Sequence, residues 1–260
     1  MKNDCFIQKA FVNPILVDTS LSTRNAGKAK AEQEGLTVIF PAITEMAKEA
    51  GAEAQFMVLG FNSKADWLVG PEPKVYEEIK QNGPLQWTPK GATGMAGAID
   101  TLLHDTPAEI LPPRMAAPAI ILITDGKSTD PEYEMERAIA ELHSHPVWGR
   151  GIILPIALGE DEFDFEQLLK ISNQNVVFIA KDVSELRPVL EFVAFSAAEK
   201  SIGSESGNEH ETIGEQLANR TMYGMEYLGD TNYLVDPAVY EVPADEPAYE
   251  PEIESSEDMI

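Results

Sequence analysis

Apolar stretches alternate with amphipathic stretches along the first 200 residues of the chain, and this alternation predicts strands and helices in turn. Apolar residues recur at spacings of three and four in several segments, which indicates helices with one buried face. The predicted strands cover residues 10–18, 55–61, 67–69, 118–124, 151–158 and 176–179. The predicted helices cover residues 25–50, 75–80, 95–104, the segment after Pro131, 165–171 and 182–199. Strands that alternate with helices predict an α/β fold, a doubly wound and mostly parallel sheet with helices on both faces.

Two prolines and one short turn modify this outline. Pro14 lies inside the first predicted strand and removes a ladder hydrogen bond, so we expect a bulge there or a strand that starts only at Ile15. Pro41 lies inside the first predicted helix and should kink or split it near Phe40. The second and third strands are joined by a short turn, and we expect them to form an antiparallel hairpin at an edge of the sheet.

The composition changes after Lys200, so we divide the chain into a domain of residues 1–200 and a tail of residues 201–260. The tail contains fifteen acidic residues and one basic residue, and it holds five of the seven tyrosines. Such a segment cannot bury enough apolar surface to offset the entropy of ordering, so we expect it to be disordered or bound to a partner. Thr212 and Glu215 have the spacing of a capping box, which predicts one short helix in the tail.

Charge and cysteine content limit the classes of function. The chain of 260 residues carries a net charge of −25, which argues against nucleic acid and anionic membrane surfaces as partners. The single cysteine, Cys5, excludes an intrachain disulfide and is typical of a reducing compartment. We see no signal peptide and no apolar run of the ~20 residues that a transmembrane helix needs. We therefore expect a cytoplasmic protein.

Candidate metal ligands follow two of the predicted strands. Asp18, Ser20 and Ser22 come directly after the first strand, where an apolar run ends. Asp125 ends a second apolar run, and Thr93 lies on a glycine-flanked loop that opens a helix. Ligands of open α/β sheets gather at the carboxyl ends of the strands, so these side chains meet if the two strands are parallel neighbours. Their oxygen atoms suit a hard divalent cation, and we predict Mg²⁺, with Mn²⁺ as the alternative.

Each of these residues also has an ordinary explanation. Asp18 could cap the next helix, and Asp125 could lie in a simple turn. Ser20 and Ser22 could be turn residues without a ligand role. Asp130 is expected to cap the helix that follows it, and support of a metal ligand is the alternative. The three stretches follow one another in a fixed order along the chain, and the family resemblance that this order carries favours a shared metal site over these separate roles.

The same order resembles the metal-ion-dependent adhesion site of von Willebrand factor A domains. The resemblance rests on Asp18-x-Ser20-x-Ser22, then Thr93, then Asp125-Gly126, and it covers roughly residues 5–200. It implies a Rossmann-like fold with an intact site, in which these five residues hold the ion and an acidic side chain of a partner protein completes its coordination. The segments 60–63 and 123–130 add a narrower similarity to bacterial stand-alone domains of the tellurium-resistance-associated type.

The resemblance implies a metal-dependent scaffold or adaptor in a bacterial stress-response, tellurium-resistance or defence system. Relatives of this type are often encoded beside a protein kinase and a phosphatase, which are therefore candidate partners. We expect no enzymatic activity, because no His, Lys or Cys is placed by the sequence as a base or nucleophile. The alternatives are a metal-dependent phosphohydrolase, a subunit of an ATP-driven complex of the chelatase type, and ion binding without a partner. A tail acid such as Asp245, Glu246 or Glu250 could also occupy the chain's own cation.

Overall fold

The computed structural model describes residues 9–159, 163–202, 225–227 and 232–235. Its strands are β1 (Lys9–Asp18), β2 (Ala52–Phe61), β3 (Ala65–Lys74), β4 (Ala119–Thr124), β5 (Ile152–Leu158), β6 (Val177–Ala180), β7 (Met225–Tyr227) and β8 (Asn232–Val235). Its α-helices are α1 (Lys28–Glu49), α2 (Tyr76–Gln81), α3 (Met95–Asp105), α4 (Glu132–Ser144), α5 (Phe165–Ile171) and α6 (Val183–Ile202). Short 3₁₀ helices cover Leu21–Gly27, Ala108–Ile110 and Trp148–Arg150. The predicted α/β fold is confirmed.

The strands form one sheet in the order β3-β2-β1-β4-β5-β6-β8-β7. β1 lies between β2 and β4 and is parallel to both. β3 is antiparallel to β2 at one edge, as the predicted hairpin requires. The chain adds β2 on one side of β1 and β4 on the other, so the strand order reverses between β1 and β4. In open α/β sheets the crevice at the carboxyl ends of two such strands is the usual place for a ligand.

Helices cover both faces of the sheet, and each face has its own hydrophobic core. Phe11 and Ile15 of β1 belong to the core formed with α1 and α6. Val12 and Leu16 point the other way, into the core formed with α3, α4 and α5. Every residue of β4, β5 and β6 is buried, which explains why these strands read as continuous apolar runs. Within the described ranges, none of the helices combines the length and apolar character needed to cross a membrane.

The two prolines are accommodated differently from what we predicted. β1 begins at Lys9 and includes Pro14, whereas its pairing with β4 begins only at Ile15. The same edge of β1 also pairs at Ala10 with Met115, so the ladder on this side is interrupted across Pro14, but the strand itself does not start late. α1 runs through Pro41 as one helix, so the predicted split is wrong. This helix begins at Lys28 rather than near residue 25, because a 3₁₀ turn occupies the preceding residues.

Part of the segment that we predicted as a tail joins the sheet. β8 pairs with β6 in parallel, with Asn232 opposite Val177, and β7 pairs with β8 in the antiparallel sense. α6 ends at Ile202, close to the predicted domain boundary. The predicted capping box at Thr212 and Glu215, the tail acids at its end and Cys5 lie outside the described residues. Disorder or partner binding of the rest of the tail stays a prediction.

Candidate metal centre

Asp18 ends β1 with its carboxylate fixed at the crevice between β1 and β4. Its side chain is fully buried, and its Oδ1 accepts a hydrogen bond from the backbone amide of Ser20 at 2.8 Å. Its Oδ2 accepts a hydrogen bond from the hydroxyl of Thr124, the last residue of β4, at 2.7 Å. Burial raises the pKa of Asp18, and the hydrogen bonds from Thr124 and Ser20 oppose that rise. The carboxylate therefore joins the ends of both strands and does not cap a helix.

Ser20, Ser22 and Asp125 form one chain of hydrogen bonds across the crevice. The hydroxyl oxygens of Ser20 and Ser22 lie 2.8 Å apart, and the Ser22 hydroxyl donates to Oδ1 of Asp125 at 2.6 Å. Ser20 and Asp125 are both buried, at 1% and 0% exposure. The turn that carries the serines is held by the hydroxyl of Thr23, which donates to the carbonyl of Ser20 at 2.9 Å. Residues more than a hundred positions apart in sequence thus share one polar cluster.

Thr93 reaches this cluster from the loop before α3. Its side chain is buried at 6% exposure, and its carbonyl accepts a hydrogen bond from the amide of Thr129 at 2.8 Å. A Cβ atom placed on Gly126 would lie 3.6 Å from the Thr93 hydroxyl and 3.7 Å from the Ser22 hydroxyl. Both hydroxyls therefore approach the same point beside Gly126, and all five predicted ligands lie in one region.

Asp130 has a different role from the predicted one. The first turn of α4 receives no hydrogen bond from a capping side chain, and its N-cap residue is Pro131. The carboxylate of Asp130 instead accepts a hydrogen bond from the amide of Ala96, in the first turn of α3, at 2.8 Å. It also accepts the hydroxyl of Ser128 at 2.7 Å. Asp130 therefore caps α3 and ties the Thr93 loop to the loop after β4, so the predicted cap of the following helix is wrong.

Two charged residues of α1, Lys28 and Glu32, complete the site, and we did not predict either. The ammonium of Lys28 lies 2.9 Å from Oδ2 of Asp125, with the two side chains 13% and 0% exposed. Glu32 is fully buried, and neither of its carboxylate oxygens has a hydrogen-bond partner. Burial raises the pKa of Glu32 well above its ordinary value, the charges of Asp18 and Asp125 raise it further, and Lys28 lowers it.

The sequence contained one signal for Glu32. It lies four residues before Leu36 and seven before Ile39, so it falls on the apolar face of α1, and both of those residues are buried. A charged residue at such a position is an exception that needs an explanation. Lys28 had no comparable signal, because a lysine in the first turn of an amphipathic helix is ordinary.

The chemistry of the donors fits a hard divalent cation. Asp18, Asp125 and the three hydroxyl-bearing residues offer only oxygen atoms, the ligands that Mg²⁺ and Mn²⁺ prefer. Among the described residues, no group of three or more His, Cys, Asp or Glu side chains is arranged to hold a metal ion. Hydroxyl groups must therefore supply part of the ligand set here. Lys28 is the feature that opposes a metal, because its positive charge already lies on Asp125.

No family model and no curated protein matches the sequence, whereas many solved structures share the fold. A von Willebrand factor type A structure from Catenulispora acidiphila superimposes with a TM-score of 0.59 at 19% identity, over 73% of this chain and 43% of that one. Proximal thread matrix protein 1 from the mussel byssus, solved with a zinc-occupied MIDAS motif, gives a TM-score of 0.55 at 18% identity, over 74% and 46%.

The PilB minor pilin from Streptococcus sanguinis gives a TM-score of 0.58 at 10% identity, over 77% of this chain and 64% of the pilin. This chain thus spans less than half the length of the first two structures and under two thirds of the third. At these identities the similarity concerns the fold. The chain has the fold of a von Willebrand factor A domain.

Proposed function

We propose that this chain is a protein-interaction module that depends on a divalent cation. Asp18, Ser20, Ser22, Thr93 and Asp125 would hold the ion, and an acidic side chain of a partner protein would complete its coordination. The observation that carries this proposal is the hydrogen-bond chain from Ser20 through Ser22 to Asp125, which gathers oxygen donors from two distant segments at the strand-order reversal. Mg²⁺ is the proposed ion, and Mn²⁺ has the same preference for oxygen.

The surroundings of the two carboxylates support recognition rather than catalysis. Each oxygen of Asp18 accepts a hydrogen bond, from Ser20 or Thr124. Each oxygen of Asp125 is likewise engaged, by Ser22 or Lys28. In this arrangement neither carboxylate has an oxygen without a donor, so neither is poised as a general base toward solvent. A cation at this site would supply an electrophilic centre that a partner's carboxylate can bind.

We also propose a biological setting that is more specific than the fold alone implies. The segments 60–63 and 123–130 suggest a bacterial stress-response or tellurium-resistance system, with a protein kinase and a phosphatase as candidate partners. The segment 60–63 also has a local role, because the backbone carbonyl of Asn62 accepts a hydrogen bond from the amide of Gly94 at 2.9 Å, next to Thr93. A cytoplasmic location belongs to the same proposal.

The test is an affinity capture from native lysate with the full chain as bait, in Mg²⁺ and in EDTA. We expect partner proteins that are released by EDTA and absent with the Asp18→Ala and Thr93→Ala variants. Asp66→Asn is the matched control, since Asp66 is an exposed carboxylate at the same end of the sheet, paired with Gly60 of β2. Capture of the same proteins by Asp18→Ala would contradict the proposal. Steady phosphatase activity lost in Asp18→Ala would favour the phosphohydrolase instead.

A further inference from the structure

The ammonium of Lys28 pairs with Asp125, a carboxylate that we propose as a ligand of the divalent ion. Its ammonium lies 2.9 Å from Oδ2 of Asp125, and both side chains are withdrawn from solvent. The other oxygen of Asp125 accepts the Ser22 hydroxyl, so the carboxylate is shared between the ammonium and the hydroxyl chain. Charges interact strongly when water is excluded, so this ion pair affects any cation that needs Asp125.

Glu32 lies one helical turn after Lys28, within reach of the same ammonium. Residues four apart on a helix are neighbours, and a Lys and a Glu at this spacing can pair. Glu32 is fully buried, yet neither of its oxygens has a hydrogen-bond partner. Buried carboxylates are almost always paired, so Glu32 is available to pair with a nearby cation.

We propose that Lys28 is a tethered cation that competes with the divalent ion for Asp125, and that Glu32 receives the Lys28 ammonium when the ion is bound. This inference rests on the proposed function, because it concerns the affinity of the same site. Ionised Asp18 and Asp125 carry two negative charges, and Glu32 adds a third when it gives up its proton to pair with the ammonium, so that one ammonium and one divalent ion together balance all three. The ammonium alone leaves the region negative, and moving it to Glu32 frees Asp125 for the ion while satisfying the buried acid.

The experiment is isothermal titration of the full chain with MgCl₂ at one fixed pH and salt concentration. We expect Lys28→Met to bind Mg²⁺ at least about tenfold more tightly than the wild type, a change of ~1.4 kcal/mol. Glu32→Gln should bind about tenfold more weakly, because the displaced ammonium then has no carboxylate to receive it. In the double variant the effect of Glu32→Gln should shrink several-fold, since no ammonium has to move.

Lys30 and Glu34 provide a matched control pair on the same helix. They have the same spacing and lie 3.4 Å apart, but their side chains are 78% and 68% exposed. Lys30→Met, Glu34→Gln and their double variant should leave the Mg²⁺ affinity within about twofold of the wild type, because solvent screens exposed charges.

The outcomes separate this inference from the proposed function. A wild-type chain that binds neither Mg²⁺ nor Mn²⁺ would overturn the proposed function and the inference with it. A wild-type chain that binds Mg²⁺ while Lys28→Met has the same affinity would overturn the inference alone. If Lys28→Met does not fold, Glu32→Gln alone decides: an affinity equal to that of Glu34→Gln overturns the inference, and a tenfold loss supports it.

Discussion

Thr124→Val tests whether the bond between the ends of β1 and β4 holds the site together. The Thr124 hydroxyl donates to Oδ2 of Asp18 at 2.7 Å and accepts the amide of Gly126 at 3.2 Å. Valine keeps the shape of the side chain and its preference for a strand, but it leaves a buried carboxylate oxygen without a donor. A hydrogen bond to a charged group contributes about 1.5–3 kcal/mol, so we expect a loss of that size in the free energy of unfolding.

Urea unfolding in EDTA measures this loss without a contribution from bound metal. We expect a lower unfolding midpoint with an unchanged slope, which indicates a change in stability rather than in the surface exposed on unfolding. Thr37→Val is the control, because the hydroxyl of Thr37 is exposed on α1 and donates only to the carbonyl of Gln33. It should change stability by less than about 0.5 kcal/mol. If Thr124→Val behaves like Thr37→Val, the bond to Asp18 does not support the site as we infer.

Three further predictions concern the surroundings of the site. In EDTA, the free energy of unfolding of the wild type relative to that of Glu32→Gln should fall as pH rises above about 4.3, because the unfolded chain releases the Glu32 proton at a lower pH than the folded chain does. Urea unfolding across pH measures this difference, and it would show no such fall if Glu32 were solvated in the folded chain. Gly94→Ala should cost about 1–3 kcal/mol and weaken Mg²⁺ binding, because its Cβ would lie 2.7 Å from the carbonyl of Asn62. Asp130→Ala should cost about 1 kcal/mol through loss of the cap on Ala96, and calorimetric melting of this variant beside Glu132→Ala would check it.

The sequence was sufficient for the fold because strands and helices depend on local patterns, and the five residues that it predicted as ligands lie together at the ends of these strands. Runs of apolar residues mark strands buried on both faces, and β4 and β5 lie within one residue of their predicted starts. Asp18 and Asp125 each follow such a run, so the end of the strand locates them without knowledge of the rest of the fold. That these strands are neighbours was an assumption in the sequence, and the pairing of Val17 with Ile123 supports it.

The wrong predictions concern residues whose role depends on contacts with distant parts of the chain rather than on local patterns. Asp130 has the sequence of a cap for the next helix, but its carboxylate accepts the amide of Ala96, more than thirty residues away. Pro14 looked unsuited to a central strand until the register showed that pairing with β4 starts after it. The strands at Met225–Tyr227 and Asn232–Val235 lie in an acidic segment whose average composition hides them.

Lys28 and Glu32 show that a list of ligands does not describe all the charges around the proposed site. The five predicted ligands contribute only two ionisable groups, Asp18 and Asp125, yet the charge of the region also depends on α1. A buried Glu without a hydrogen-bond partner costs stability, and a chain keeps such a group only when another state of the protein uses it or when the surrounding fold tolerates the cost. We therefore expect the affinity of the proposed site for a divalent ion to depend on α1 as well as on the loops that carry the five predicted ligands.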